Sequence, residues 1–351
     1  MKVLLTGHHG YIGSIVAPVL QAAGLEVTGL DTLYYEGCDL DGAEQPAVEA
    51  LRIDIRDVTA DDVRGFDAVA HFAALSNDPL ADLSPDLTTE INFRATVRLA
   101  EAAKAAGVPR FVFSSSCSMY GASDSTAGVD ESAPLQPLSA YAESKVRSEE
   151  ALSELTDDDF APVFLRNATA YGVSPRLRVD LVLNNLVGWA FTTGKVKILS
   201  DGTPWRPIVH IEDIARATLA ALEAPAELVR GEAFNVGASN ENYQVSELAE
   251  IVRETVPDCE VEYAGSGDPD PRSYRVDFSK FARTFPDIEL GWTARAGAQE
   301  LYDAYRAVGL TLEEFESNRY IRLRHLKLLL DEGRLAPDLR WRDLDARVAS
   351  R

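Results

Sequence analysis

Lys2-Val3-Leu4-Leu5-Thr6-Gly7-His8-His9-Gly10-Tyr11-Ile12-Gly13 stands at the start of the chain, and its reading decides the fold. Lys2–Leu5 is a short apolar run of β type. Thr6-Gly7-x-x-Gly10-x-x-Gly13 is a glycine turn, and Ser14 to Ala23 has helical spacing that stops at Gly24. Strand, glycine turn and helix in that order form the phosphate-binding opening of a dinucleotide fold. The glycines let the backbone approach a pyrophosphate, and the helix N-terminus supplies amides and a positive dipole. By itself such a turn is equally an ordinary tight turn, so the continuation has to decide. Glu26–Leu30 reads as a second strand, and Asp31 ends it, 18 residues past Gly13. A carboxylate there accepts hydrogen bonds from the ribose hydroxyls of an adenosine and repels a 2′-phosphate, which favours NAD over NADP.

The pattern continues with strands at Val48–Ile53, Asp67–Phe72 and Arg110–Ser114, and an alanine-rich helix from Leu87 to Ala106 closed by Gly107. The fifth strand delivers the run Ser114-Ser115-Ser116-Cys117-Ser118 to its carboxyl end. Ligands of such sheets bind outside the carboxyl ends of the strands. The glycine turn, Asp31, Ala73 and the serines therefore converge on one crevice. Further along, Tyr141 and Lys145 stand four residues apart, on one face of a helix. A lysine ammonium near a phenol favours the phenolate, so the tyrosine can exchange a proton near neutral pH. Without the crevice the same pair would be a solvated helix face.

Composition narrows the partners. Of 351 residues, 46% are hydrophobic and 26% charged, which is globular. A net charge of -22 repels nucleic acid and anionic membranes, so neither is expected as a partner, and an anionic substrate needs local arginines. Cys38, Cys117 and Cys259 are odd in number and far apart, offering neither a disulfide framework nor a metal cluster. With no signal-peptide pattern and no apolar run of membrane length, a cytoplasmic protein is expected, without a metal.

Past Lys145, a sixth strand at Ala161–Leu165 leads into Arg166-Asn167-Ala168-Thr169. A helix around Leu181–Thr192 and a short strand at Val196–Leu199 follow, and Ala233–Gly237 is again strand-like and rejoins the main sheet. The expected class is α/β, a Rossmann-type doubly wound parallel sheet with a smaller α/β substrate-binding lobe and a C-terminal helical extension. The division is 1–168 for the NAD-binding domain, rejoined by about 208–240; 169–207 and 241–310 for the substrate lobe; and 311–351 for the extension. Thr311-Leu312-Glu313-Glu314 is a capping box whose helix should run to about Glu332, before Gly333. Its basic residues, Arg319, Arg322, Arg324 and Lys327, are expected in water, or less simply at a subunit contact.

Four motifs in this order carry a resemblance: Thr-Gly-x-x-Gly-x-x-Gly, His71-x-Ala73-Ala74, Ser114-Ser115-Ser116-x-x-x-Tyr120-Gly121 and Tyr141-x-x-x-Lys145. Over roughly residues 1–310 the chain resembles the extended short-chain dehydrogenase/reductases, and within them the NAD-dependent nucleotide-sugar epimerases and dehydratases. The resemblance implies a phenolate at Tyr141 that takes a proton from a sugar hydroxyl, usually at C4, while hydride passes to the nicotinamide. Ser116 would bind the reacting oxygen, and Lys145 would hold the nicotinamide ribose and keep the tyrosine pKa low. The implied cofactor contacts are Gly7, Gly10, Tyr11, Ile12, Gly13, Asp31, Asp54, Ile55, Phe72, Ala73, Ala74, Asn92, Ser114 and Ala168, with Tyr141 and Lys145. Dehydratases of the family carry an Asp-Glu pair where this chain has Cys117-Ser118, which argues against dehydration. Epimerisation at C4 follows if hydride returns to the opposite face of the ketone.

On the substrate side the resemblance implies Ser118, Thr169, Asn185, Arg206 as a diphosphate clamp, and Arg272. Thr169 matches the threonine of UDP-glucuronate 4-epimerases where galactose-type enzymes have Asn. Arg178-Val179-Asp180-Leu181 is similar to the stretch whose arginine holds their sugar carboxylate, although the segment here is two residues longer and Arg176 is an alternative. The expectation is a homodimeric epimerase of a nucleotide-diphosphate sugar, with a UDP-uronic acid as one candidate substrate. Decarboxylase, 3,5-epimerase and reductase chemistry are the alternatives on the same residues. A non-catalytic NAD-sensing regulator is the alternative from another class, disfavoured by the intact Ser116, Tyr141 and Lys145.

Overall fold

The computed structural model describes residues 1–44, 46–76, 78–81, 84–123, 128–198, 200–263 and 272–342. Leu199, the end of one expected strand, and residues 343–351 of the expected extension lie outside the described residues. The strands in chain order are β1 (Lys2–Thr6), β2 (Glu26–Asp31), β3 (Glu49–Arg52), β4 (Ala68–His71), β5 (Arg110–Ser116), β6 (Ala161–Asn167), β7 (Thr169–Tyr171), β8 (Lys195–Ile198), β9 (Trp205–His210), β10 (Ala233–Val236), β11 (Asn242–Gln244) and β12 (Glu260–Tyr263). Seven of them form a parallel sheet in the order β10-β6-β5-β4-β1-β2-β3. Strands β4 and β6 are buried along their whole length, as parallel strands covered by helices on both faces must be. The strand order reverses between β1 and β4, which opens a crevice at their carboxyl ends.

Two smaller sheets, β11-β9-β7 and β12-β8, lie outside the main one. Between the Leu and Ala residues of one buried cluster, helices Val182–Thr193, Val245–Thr255 and Ala294–Val308 pack against these sheets. Thus β7, β8, β9, β11, β12 and these three helices build a second lobe beside the main sheet, while β10 sits in the main sheet next to β6. Tyr274, Val276, Phe278, Phe281 and Phe285, expected in the substrate lobe, pack instead into the main sheet's core with Phe234 and Val236 of β10.

Two elements depart from the sequence reading. The helix expected from Leu87 starts at Pro85, with the Ser84 hydroxyl accepting the Leu87 amide, and widens into a π segment over Thr89–Arg94 before its α-helical end at Ala95–Ala105. The tail is broken rather than continuous. Its capping box forms, but the helix lasts one turn, Leu312–Phe315, and a second helix runs Arg322–Asp331. The reason is burial. Phe315 and Tyr320 fill the second lobe's core, whereas Leu326, Leu329, Leu335 and Leu339 join the core under the main sheet. One straight helix cannot face both, so the chain turns between them. Nor do all the tail's basic residues face water: Arg324 and Lys327 do, Arg319 pairs with Asp41, and Arg322 is fully buried.

Candidate active site

The glycine turn is built by contact as well as by conformation. Gly7 has φ +74, and a Cβ there would lie 2.7 Å from the Ala73 amide nitrogen. At Gly13, which starts the helix Gly13–Ala22, a Cβ would lie 2.0 Å from the Gly7 carbonyl oxygen. Only hydrogen fits at either place, so β1, the helix and the end of β4 close to backbone contact. No side chain caps this helix, which leaves its N-terminal end available to an anion. At the end of β2 the Asp31 carboxylate accepts the amides of His9 and Leu33, at 3.1 and 2.8 Å. Burial raises its pKa, and burial lowers that of the neighbouring His8.

One cavity of about 630 Å³ runs from this turn along the carboxyl ends of the main sheet into the second lobe. Its wall carries Gly7, Gly10, Tyr11, Ile12, Gly13, Asp31, Asp54, Ile55, Phe72, Ala73, Ala74, Ser114 and Ala168 at the sheet side, then Ser116, Tyr141 and Lys145, then Ser118, Thr169, Arg178, Asn185, Arg206 and Arg272. Asn92 is the one implied cofactor contact that lies off this wall. It sits in the π segment, where its side chain pairs with both the amide and the carbonyl of Leu75 and with the Ser144 hydroxyl. Its position thus supports the cavity wall from behind.

At the centre, Ser139 caps the helix Ala140–Glu154 and sets Tyr141 in its first turn. The Lys145 ammonium donates to the Ser114 carbonyl at 2.6 Å and lies 5.7 Å from the Tyr141 ring centroid. The Ser116 hydroxyl accepts the Ser118 amide and donates to the Ser118 hydroxyl at 2.9 Å. Burial, then the negative charge of Asp78, push the Tyr141 phenol up to about 12, while Ser116 works the other way. Burial brings Lys145 down to about 7, opposed by Glu149 one turn on. Both groups are desolvated, and the carboxylate of Asp78 is the charge that bears most on the phenol. Behind the lysine, Glu149 is fixed by an Arg166 fork, and Arg166 also donates to the Tyr120 hydroxyl.

Cys117 points the other way. Its thiol is fully buried, donates to the Arg166 carbonyl at 3.0 Å, and is pushed well above the usual thiol range by burial. In the second lobe Arg206 donates to the carbonyls of Trp205 and Arg272, and Arg272 forms an ion pair with Asp78 across the cavity. Arg178 gives a fork to Asp180 at 2.9 and 3.1 Å and a third bond to Ser76. Asn185 donates to the Val179 carbonyl. Arg176 is off the cavity wall, paired with Asp39 and bonded to the His9 ring. Residues on the wall that the sequence reading passed over include Tyr34, Tyr35, Asp78, Tyr274 and Arg322. Tyr34 and Tyr35 closely follow Asp31, which is a usable signal. Arg322 gives none, since it reads as one basic residue among several on an amphipathic helix.

The wall therefore suits a dinucleotide at the turn: a backbone cradle with no room for a Cβ, an uncapped helix end and a ribose-length carboxylate. Among the described residues there is no group of His, Cys, Asp or Glu fit to hold a metal ion, and no helix is long and apolar enough to cross a membrane.

Comparison with known proteins identifies the family. The model of the NAD dependent epimerase/dehydratase family matches residues 3–237. A UDP-glucose 4-epimerase of Corynebacterium glutamicum is 32% identical over 312 residues, covering 84% of this chain and 91% of its own. The solved structure of MoeE5 in complex with UDP-glucuronic acid and NAD aligns with a TM-score of 0.75 at 26% identity, over 88% of this chain and 99% of the other. DesIV, a dTDP-glucose 4,6-dehydratase from Streptomyces venezuelae with NAD and TYD bound, aligns with a TM-score of 0.75 at 27% identity, over 90% and 100%.

Proposed function

The chain belongs to the NAD-dependent epimerase/dehydratase family, an enzyme family, and NAD is its cofactor; from that premise we propose that it inverts a nucleotide-diphosphate sugar at C4 through a transient 4-ketone. The observation that carries the reading is the orientation of two neighbours. Ser116, with Tyr141 and Lys145, faces the cavity, while the Cys117 thiol is turned into the core against the Arg166 carbonyl. Elimination of water needs an acid and a base at the serine run, and a buried thiol beside a Ser118 hydroxyl supplies neither.

NAD, when bound, supplies the hydride acceptor for C4 and the donor for its return. The chain's own residues do the rest. Tyr141 removes the C4 hydroxyl proton and gives it back, and Ser116 hydrogen-bonds the same oxygen so that it stays within reach of the phenol. Lys145, anchored to the Ser114 carbonyl, fixes a cation beside the phenol as negative charge develops there. Arg206 and Arg272 hold the diphosphate, for which the Arg272–Asp78 pair must open. A uronic acid is the finer form of the proposal, supported by Arg178 on the cavity wall. Its guanidinium already forks to Asp180, so a substrate carboxylate would take the bond now made to Ser76.

The test is incubation with UDP-, GDP-, CDP- and dTDP-sugars, UDP-glucuronate included, followed by proton NMR in deuterium oxide. Inversion at C4 with no solvent deuterium is expected. Deuterium uptake at C3 or C5, or loss of the C6 hydroxyl or of carbon dioxide, would overturn the proposal.

A further inference from the structure

Arg322 is the first residue of the second tail helix, and only 1% of it is exposed, yet it is part of the cavity wall. One guanidinium nitrogen, Nη2, donates to the Arg176 carbonyl at 2.7 Å. Its Nη1 is buried and has no hydrogen-bond partner among the described residues. The guanidinium lies over the Tyr35 ring, 4.2 Å from the centroid, which fixes the direction of the fork.

Charge surrounds it unevenly. Arg176 is balanced by Asp39 and Arg178 by Asp180, but among the described residues Arg322 has no salt bridge. Burial lowers its pKa, opposed by Tyr35 and, further off, Asp180. A buried cation without a salt bridge is unfavourable, and one on the wall of a cavity with a donor left unpaired is completed by an anion that enters there. The neighbours say which end of the cavity this is. Tyr35 belongs to the loop that follows Asp31. Arg176, whose carbonyl Arg322 meets, touches His9 of the glycine turn. The arginines suited to the substrate, Arg206 and Arg272, are joined to one another in the second lobe.

We infer that Arg322 is a binding residue for the diphosphate of the dinucleotide, so that the tail completes the cofactor site opposite the glycine turn. This rests on the assignment of that end of the cavity to NAD. Wild-type protein that binds NAD but converts no sugar nucleotide would overturn the proposed reaction and leave this inference standing.

The test compares full-length wild type with Arg322→Met and Arg322→Lys, stripped of ligand. Calorimetry measures NAD, ADP-ribose and UDP binding, and melting is followed without ligand. Removing one charge-assisted bond should weaken NAD and ADP-ribose about 10- to 100-fold in Arg322→Met and less in Arg322→Lys. UDP affinity should be unchanged, and the ligand-free melting temperature equal or higher, because an unpaired buried charge has gone. NAD affinity within about 3-fold of wild type would overturn the inference. Loss of UDP affinity in its place would do so too, by assigning the cation to the substrate. A lower ligand-free melting temperature with NAD affinity kept in Arg322→Lys and Arg322→Met would mark the arginine as structural and equally overturn it. Should Arg322→Met fail to fold, Arg322→Lys carries the same comparison.

Discussion

Lys145 makes the stability of the ligand-free protein depend on pH in a direction fixed by its burial. Its pKa in the folded chain is about 7, against 10.5 for an ordinary lysine. Between these values the unfolded chain holds more protons than the folded one, so folding gains stability as pH rises through the window. The gap, with the opposing effect of Glu149 already in it, converts to at most about 5 kcal/mol, and the Ser114 carbonyl reduces the effect by stabilising the cation. Replacing the lysine by methionine keeps the length of the side chain and removes the titration. Urea unfolding of both proteins at pH 6.5, 7.5, 8.5 and 9.5, with NAD removed, isolates the lysine, because all other groups cancel in the difference. Relative to Lys145→Met, wild type should gain about 2 kcal/mol between pH 7.5 and 9.5, and the difference should level off below pH 7. A difference that is flat, or that falls with pH, would refute the argument that burial dominates the environment of this residue.

Tyr141→Phe should lower turnover about 10²- to 10⁴-fold while NAD binding by calorimetry stays within about 3-fold, and full activity would remove the proposed base. Gly13→Ala places a methyl 2.0 Å from the Gly7 carbonyl, so the purified variant should release little or no NAD on denaturation and melt earlier. Stoichiometric NAD with an unchanged melting point would contradict the close packing of the turn. Leu326→Ala, at a fully buried tail position, should cost about 2–5 kcal/mol in urea unfolding. A loss below about 1 kcal/mol would mean that the tail is not part of the core.

Local pattern carried much of the fold. The glycine turn, Asp31 and the serine run are short-range signals, and each acts through the backbone next to it, so their convergence followed from the strand order of a parallel sheet. The tail shows what local pattern cannot carry. Its leucines and capping box specify helix equally well with or without a break, and the break comes from two distant cores that claim Phe315 and Leu326 separately. Arg322 is hidden for the same reason. Its burial is created by Tyr35 and the carbonyl of Arg176, which lie 287 and 146 residues away in sequence. The protonation of Tyr141 and Lys145 was also beyond the motif, because Asp78, whose charge opposes the phenolate, comes from another helix and is held there by Ser139 and Arg272.

The most direct measurement of the central claim follows one atom. UDP-glucose, or whichever nucleotide sugar the panel identifies, is prepared with deuterium at C4, incubated with the enzyme in ordinary water, and its product located by NMR. Transient oxidation and return at one carbon predicts that the C4-inverted sugar keeps its deuterium at C4. Deuterium found at C6 of a 4-keto-6-deoxy product, or lost from C4 to solvent, would contradict the account.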